Sequence, residues 1–392
     1  MAGVGPSRRG IAPRVVRGVA GALALGAAPA PLAVPADATL APAVVETVEA
    51  ALSATMAEHG IPGLSLALAS GGEVRLAGGY GLADVENNVP AKALTVYRLA
   101  SVSKPMTAVA VLQLAERGLL DLDAPVQEYC PAFPGKPWPV TARQLLGHLG
   151  GVRHYREGEQ PIARPFSGIA EGLALFKDDP LAVEPQTRMV YSTYGYTVLG
   201  CAVEGASGRP FADYLGGSVF GPAGMERSRP EEAGALVPNR AQGYAREGSG
   251  DLRNSALADM SHKVPGGGLL GTAPDVARFA LALADGRLLG PEAREAMLTS
   301  LRTRYGQPTG YGQGLSVGTR SGRPEAWHTG GQERVSNVLY WQPDSGVVVA
   351  LLSNLERVQP PLLDLARRLA DILQPGPAVR RPGGNRAEPP VR

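Results

Sequence analysis

Lysine is scarce in this chain. It accounts for 5 of 392 residues, so arginine supplies 33 of the 38 basic side chains. With no lysine run and no basic stripe, nucleic acid is excluded as a partner. Cysteine is scarcer still. Cys130 and Cys201 are too few for a disulfide framework, and both read as buried small hydrophobes, since pairing is not legible in sequence. None of the five histidines shows metal-ligand spacing. His148 and His154 fall in a loop-like region where structural roles are expected, and His59 and His262 lack ligand partners. No metal and no cofactor are therefore expected. Gly266-Gly267-Gly268 is not followed by Lys-Ser/Thr, which excludes a phosphate loop. There is no internal repeat. A hydrophobic content of 44%, a charged content of 19% and a net charge of +2 describe an ordinary globular protein.

Acidic residues are missing from the first 36 positions. There Arg8, Arg9, Arg14 and Arg17 precede an apolar stretch from Gly18 to Val34, and Ala28, Ala30 and Ala38 offer small-residue cleavage sites. This three-part form predicts a secretory signal over about residues 1–38, with a periplasmic or secreted destination; an arginine-rich mitochondrial presequence is the alternative. Pro29 and Pro31 interrupt the stretch, so no stable membrane span is expected once the signal is removed. Beyond Pro375 the chain has no periodicity and reads as a disordered tail over 375–392.

Between these ends the periodicities give a discontinuous plan. Val44, Val48, Leu52 and Met56 recur at helical spacing up to Gly60. Leu64, Leu66 and Leu68, then Gly71-Gly72, then Val74 and Leu76 predict two strands joined by a turn. A helix through Met106, Val109 and Leu112 ends near Gly118, and a long region rich in helix signals runs to about Met260. Late strands are expected at Val335 to Trp341 and Val347 to Leu352, and Leu362, Leu365, Leu369 and Ile372 form one stripe of a last helix. The expected fold class is α+β: a mostly antiparallel sheet flanked by helices, from about 44–105 and 262–374, carrying an inserted helical lobe at about 106–261.

Against this background the chain places one of its rare lysines three residues after a serine, in Ser101-Val102-Ser103-Lys104. Arginine keeps its proton in a protein, whereas a desolvated lysine becomes a neutral amine. Such an amine can take the proton of a serine hydroxyl, which makes Ser-x-x-Lys a nucleophile with its base. On a helix the two residues share a face. By itself the tetrapeptide also reads as a helix cap, with Ser101 or Ser103 as the capping residue. Lys263, another of the five, reads equally as a cleft residue or as one half of a surface salt bridge.

Two further segments add weight: Tyr191-Ser192-Thr193 before an apolar helix-like run, and His328-Thr329-Gly330-Gly331 before the Val335 strand. In order and spacing the three segments resemble the serine β-lactamase and penicillin-binding protein superfamily, including class C β-lactamases, family VIII esterases, D-amino-acid-specific peptidases and the mitochondrial β-lactamase-like branch. The resemblance covers roughly residues 44–373 and extends to Leu145 to Gly151 and Gly266 to Leu269. It implies a β-lactamase/transpeptidase-like catalytic domain over 39–374, with Ser101 as nucleophile, Lys104 as base and Tyr191 as proton relay. It also implies that Thr193, His328 and Thr329 contact substrate, and that the N–H groups of Ser101 and Gly331, beside Gly330, form an oxyanion hole. A phenol beside a lysine cation is expected to ionise more easily. The sequence departs from the usual pattern at Thr193, where asparagine is common, and at His328, where β-lactamases carry lysine. A neutral histidine predicts a weak grip on β-lactam carboxylates that improves towards pH 6. The expected activity is hydrolysis of a small peptide or ester through an acyl-enzyme. β-Lactam hydrolysis is the alternative, and an inactive binding or filament-forming module is the rival from another class. The oligomeric state is not legible.

Overall fold

The computed structural model describes residues 40–374 apart from residue 249, together with Met1 and Gly3. The expected tail over 375–392, and all but two residues of the expected signal, lie outside the described residues.

One seven-stranded sheet organises the fold. Numbered along the chain, its strands are β1 Gly63–Ser70, β2 Glu73–Asp84, β3 Val89–Pro90, β4 Ser316–Arg320, β5 Arg323–Gln332, β6 Val335–Gln342 and β7 Val347–Ser353. They lie in the order β3-β2-β1-β7-β6-β5-β4, and every pairing is antiparallel. The first and last parts of the chain therefore meet between β1 and β7, where Leu66 stands opposite Leu351. The expected α+β architecture is the one observed.

β1 is buried on both faces, unlike a strand with one solvated side. Leu64, Leu66 and Leu68 enter one core with Val48 and Leu52 of α1 (Pro42–His59) and with Leu362, Leu365 and Leu369 of the C-terminal helix (Gln359–Leu373). Burying each such leucine stabilises the fold by about 1.5–3 kcal/mol. The opposite face carries Ala67, Ala69 and Ala350, whose small side chains let a helix approach closely. The larger second core on that side holds Val276, Phe279 and Ala280 of the helix Ala273–Ala284 and most of α2 (Ser103–Glu116). α1 ends as the sequence predicts, at Gly60 in the left-handed conformation, φ 57°.

β4 is not legible in the periodicity. Its residues Ser-Val-Gly-Thr-Arg are mostly exposed or half-buried at the sheet edge, so no apolar alternation marks them. The reading of the cysteines is corrected as well. Cys130 and Cys201 form a disulfide, with Cα atoms 5.3 Å apart across 71 residues of chain. Burial of Cys130 was legible as hydrophobicity, whereas the approach of the partner is a tertiary event.

Candidate active site

Ser101 lies in a short 3-10 turn, Ala100–Val102, that leads directly into α2. Neither serine caps the helix through its side chain, so the capping alternative falls away. Ala100 adopts φ 49°, an uncommon left-handed conformation for a residue with a Cβ. The turn is held from behind by a buried network. Arg98 donates to both carboxylate oxygens of Glu231, at 2.7 and 2.9 Å, and to the carbonyl of Ala258 at 2.7 Å. Asn337 on β6 donates to the carbonyl of Arg98 at 2.7 Å.

Lys104, one helical turn on, is fully buried. Its Nζ lies 3.0 Å from Ser101 Oγ, 3.2 Å from Thr193 Oγ1 and 2.7 Å from the carbonyl oxygen of Gly266. Burial, reinforced by the field of Lys263, holds the amine well below the usual lysine range. A neutral amine has two N–H bonds and one lone pair. Gly266 can only accept, so it takes one N–H; the Thr193 hydroxyl accepts the other, and the lone pair is left for the Ser101 hydroxyl proton.

Tyr191-Ser192-Thr193 opens the helix Thr193–Ser207. Ser192 is its N-cap, accepting from Gly195 N–H at 2.9 Å and donating to the Arg153 carbonyl at 2.7 Å. Two histidines assigned only structural roles from sequence fix the same segment. His148 Nδ1 accepts from Ser192 N–H at 3.1 Å, and His154 Nδ1 accepts from Thr193 N–H at 3.3 Å. The His148 ring also packs on Tyr191, with centroids 4.3 Å apart. The Lys104 Nζ stands 4.9 Å from the centre of the Tyr191 ring.

The expectation of an easily ionised Tyr191 is overturned. Burial raises its pKa well above the ordinary tyrosine value, and contact with the Ser101 hydroxyl offsets this only in part. The neighbouring lysine is itself desolvated, which disfavours the cation that the expectation needed. Tyr191 keeps its proton at neutral pH.

The third segment lies on β5. A Cβ at Gly330 would come within 2.5 Å of the Leu99 carbonyl and 3.4 Å of Ser101 N, so only glycine lets this strand pass against the Ser101 turn. Gly331 faces the opening beside Ser101. His328 does not. It is buried, with Nδ1 2.7 Å from the Thr329 carbonyl and Nε2 3.0 Å from the Tyr311 hydroxyl. The carbonyl can only accept, so Nδ1 carries the proton and Nε2 accepts from Tyr311. Burial and the field of Lys104 push His328 down to about 3. The expected gain in carboxylate binding towards pH 6 is therefore corrected: His328 does not titrate there.

These elements wall a cavity of about 250 Å³, lined by Ser101, Tyr191, Thr193, Gly266, Gly267 and Gly331 and, on its farther side, by His154, Tyr155, Gln160, Lys263, Gln332 and Glu333. Of the predicted residues, Ser101, Lys104, Tyr191, Thr193 and Gly331 converge, while His328, Thr329 and Gly330 do not line the cavity. Sequence reasoning missed Tyr155, Gln160, Gln332 and Glu333, which carry no spacing signal. Lys263 was open between two roles; it lines the cavity.

The sequence profile of the beta-lactamase family matches residues 48–374. The human mitochondrial serine beta-lactamase-like protein LACTB is 29% identical over 77% of this chain and 75% of its own length. Penicillin-binding protein 4* of Bacillus subtilis is also 29% identical, over 76% of this chain and 69% of its own. Among solved structures, the octameric penicillin-binding protein homologue from Pyrococcus abyssi superposes with a TM-score of 0.73 at 27% identity, covering 84% of this chain and 77% of that one.

Proposed function

The chain belongs to the beta-lactamase family of serine hydrolases, and from that premise we propose that it hydrolyses a small peptide or ester through an acyl-enzyme on Ser101. The observation that carries this reading is the buried Lys104 amine 3.0 Å from Ser101 Oγ, with its other contacts arranged to leave a lone pair for the serine. In acylation the Ser101 proton passes to Lys104 as Oγ bonds to the substrate carbonyl carbon. The N–H groups of Ser101 and Gly331 then hold the oxyanion of the tetrahedral intermediate. The lysine proton leaves through the protonated Tyr191 hydroxyl to the departing amine or alcohol, and water reverses the route in deacylation. Peptides and esters rank ahead of β-lactams because His328 is neutral and buried, so the third segment has no cation for a β-lactam carboxylate.

Export to an oxidising compartment belongs to the same reading, supported by the Cys130–Cys201 bond. Among the described residues no helix is long and apolar enough to cross a membrane.

A fluorophosphonate probe tests the nucleophile. Wild type is expected to label, and Ser101→Ala is expected not to. Lys104→Arg puts a fixed cation in place of the base; its kcat should fall by about 10³-fold or more. Labelling of neither wild type nor variant would point instead to an inactive binding module.

A further inference from the structure

Lys263 is a buried lysine whose nearest contacts are not carboxylates. It is 2% exposed, and its Nζ donates to the Gln160 amide oxygen at 3.0 Å and lies 5.0 Å from the centre of the Tyr155 ring. Among the described residues no carboxylate forms an ion pair with it. Glu333 lines the same cavity, yet its Oε2 has no hydrogen-bond partner. Gln332 contributes an unpaired donor, its buried Nε2. Burying an ammonium without an anion is costly, and proteins normally offset it with a partner. Here the groups in direct contact are an amide oxygen and a ring face, and Glu333 and Glu231 act only through their fields, which is a weak arrangement for a permanent structural role.

The wall in question is shared with Ser101. We propose that Lys263, assisted by the Gln332 amide, is the anion-recognition residue of the substrate site, and that the natural substrates are acyl compounds carrying a carboxylate on the acyl chain. The inference rests on the hydrolase reading and adds the substrate class to it. It also moves carboxylate recognition away from His328, which is buried with both nitrogens engaged. Glu333 Oε2 remains as an acceptor for an N–H of the substrate, and its field favours the charged form of Lys263 against the burial that pushes the amine down to about 8.

A matched pair of substrates tests this: the mono-p-nitrophenyl ester of adipic acid and the corresponding ester whose far carboxylate is a primary amide, with Ser101→Ala protein as the blank. Wild type is expected to prefer the carboxylate in kcat/KM by roughly ten- to a hundred-fold, the range set by one charge-assisted hydrogen bond in a buried site. That ratio is expected to fall to near one in Lys263→Met and Lys263→Gln, and to survive in Lys263→Arg. A wild-type ratio of one or less, or a ratio unmoved by Lys263→Met, overturns the proposal. Protection of Ser101 from the fluorophosphonate by adipate monoamide, compared with adipamide, reads the same preference without turnover. Failure of wild type to label removes the hydrolase reading and this subsite with it. Labelling without a carboxylate preference removes the subsite alone.

Discussion

At the scale of single residues, burial sets the protonation chemistry of three side chains. It pushes Lys104 away from the ordinary ammonium towards a free amine, and it reinforces the protonated phenol of Tyr191 and the neutral ring of His328. The Ser-x-x-Lys spacing made the Ser101–Lys104 pair legible, because lysine is rare here and a three-residue step places it over Ser101. The protonation states were not legible, since they depend on desolvation by residues remote in sequence. A pH profile follows from the lowered Lys104 value. Activity needs the neutral amine, so kcat/KM is expected to fall as pH drops through that pKa, on a limb well below the usual lysine range. Lys263 contributes to the lowering. Removing its charge in Lys263→Met should raise the Lys104 pKa and move the limb to higher pH, as measured on a neutral ester. A limb that stays in place would mean that the two lysines are not coupled.

At the scale of elements, the site is the meeting of a turn, a helix start and a strand. Ser192 caps its helix, and His148 and His154 accept from the first backbone N–H groups of the same segment, so Tyr191 and Thr193 are fixed from two sides. The helix was visible in sequence as an apolar run after Tyr191-Ser192-Thr193, but the histidines, 44 and 39 residues away, were not. The two glycines of β5 make a sharper test. A Cβ at Gly330 meets the Leu99 backbone carbonyl at 2.5 Å, which cannot move without displacing the Ser101 turn. A Cβ at Gly331 meets only the flexible end of Gln359, nearest at 1.6 Å, and that side chain can swing away. Gly330→Ala is therefore expected to slow fluorophosphonate labelling by about a hundred-fold or more, whereas Gly331→Ala, which keeps its N–H, should stay within about ten-fold of wild type. The reverse order of effects would show that β5 does not hold the turn.

Across the whole molecule the buried histidines set a pH dependence of stability. His262 and His328 are pushed down to about 3 and His154 to about 4, in each case chiefly by burial. In the unfolded chain each titrates near 6.5. Below that value the unfolded state binds more protons than the folded one, so stability is lost as pH falls from about 6.5. For fully buried His328 alone the loss is on the order of 2–3 kcal/mol by pH 4.5. Calorimetry at pH 7.5, 6.0 and 5.0 should show Tm falling between the last two values, a window above the range where ordinary carboxylates titrate. A Tm that is flat from pH 7 to 5 would contradict neutral burial.

The sequence by itself determined the elements and the identity of the chemistry. Periodicity placed α1, the β1–β2 hairpin, the β6–β7 pair and the last helix, because these depend on neighbours within one or two turns of chain. The Ser-x-x-Lys step set a candidate base beside a candidate nucleophile for the same local reason, and the ordered serine–lysine, tyrosine and glycine segments carried the family resemblance. Only the tertiary structure decided what surrounds them. It brought Thr193 and Gly266 to Lys104 across 89 and 162 residues, joined Cys130 to Cys201, kept His328 out of the cavity lining and turned Lys263 into the cavity. Desolvation and charge coupling act through space between segments distant along the chain, and no local pattern records them.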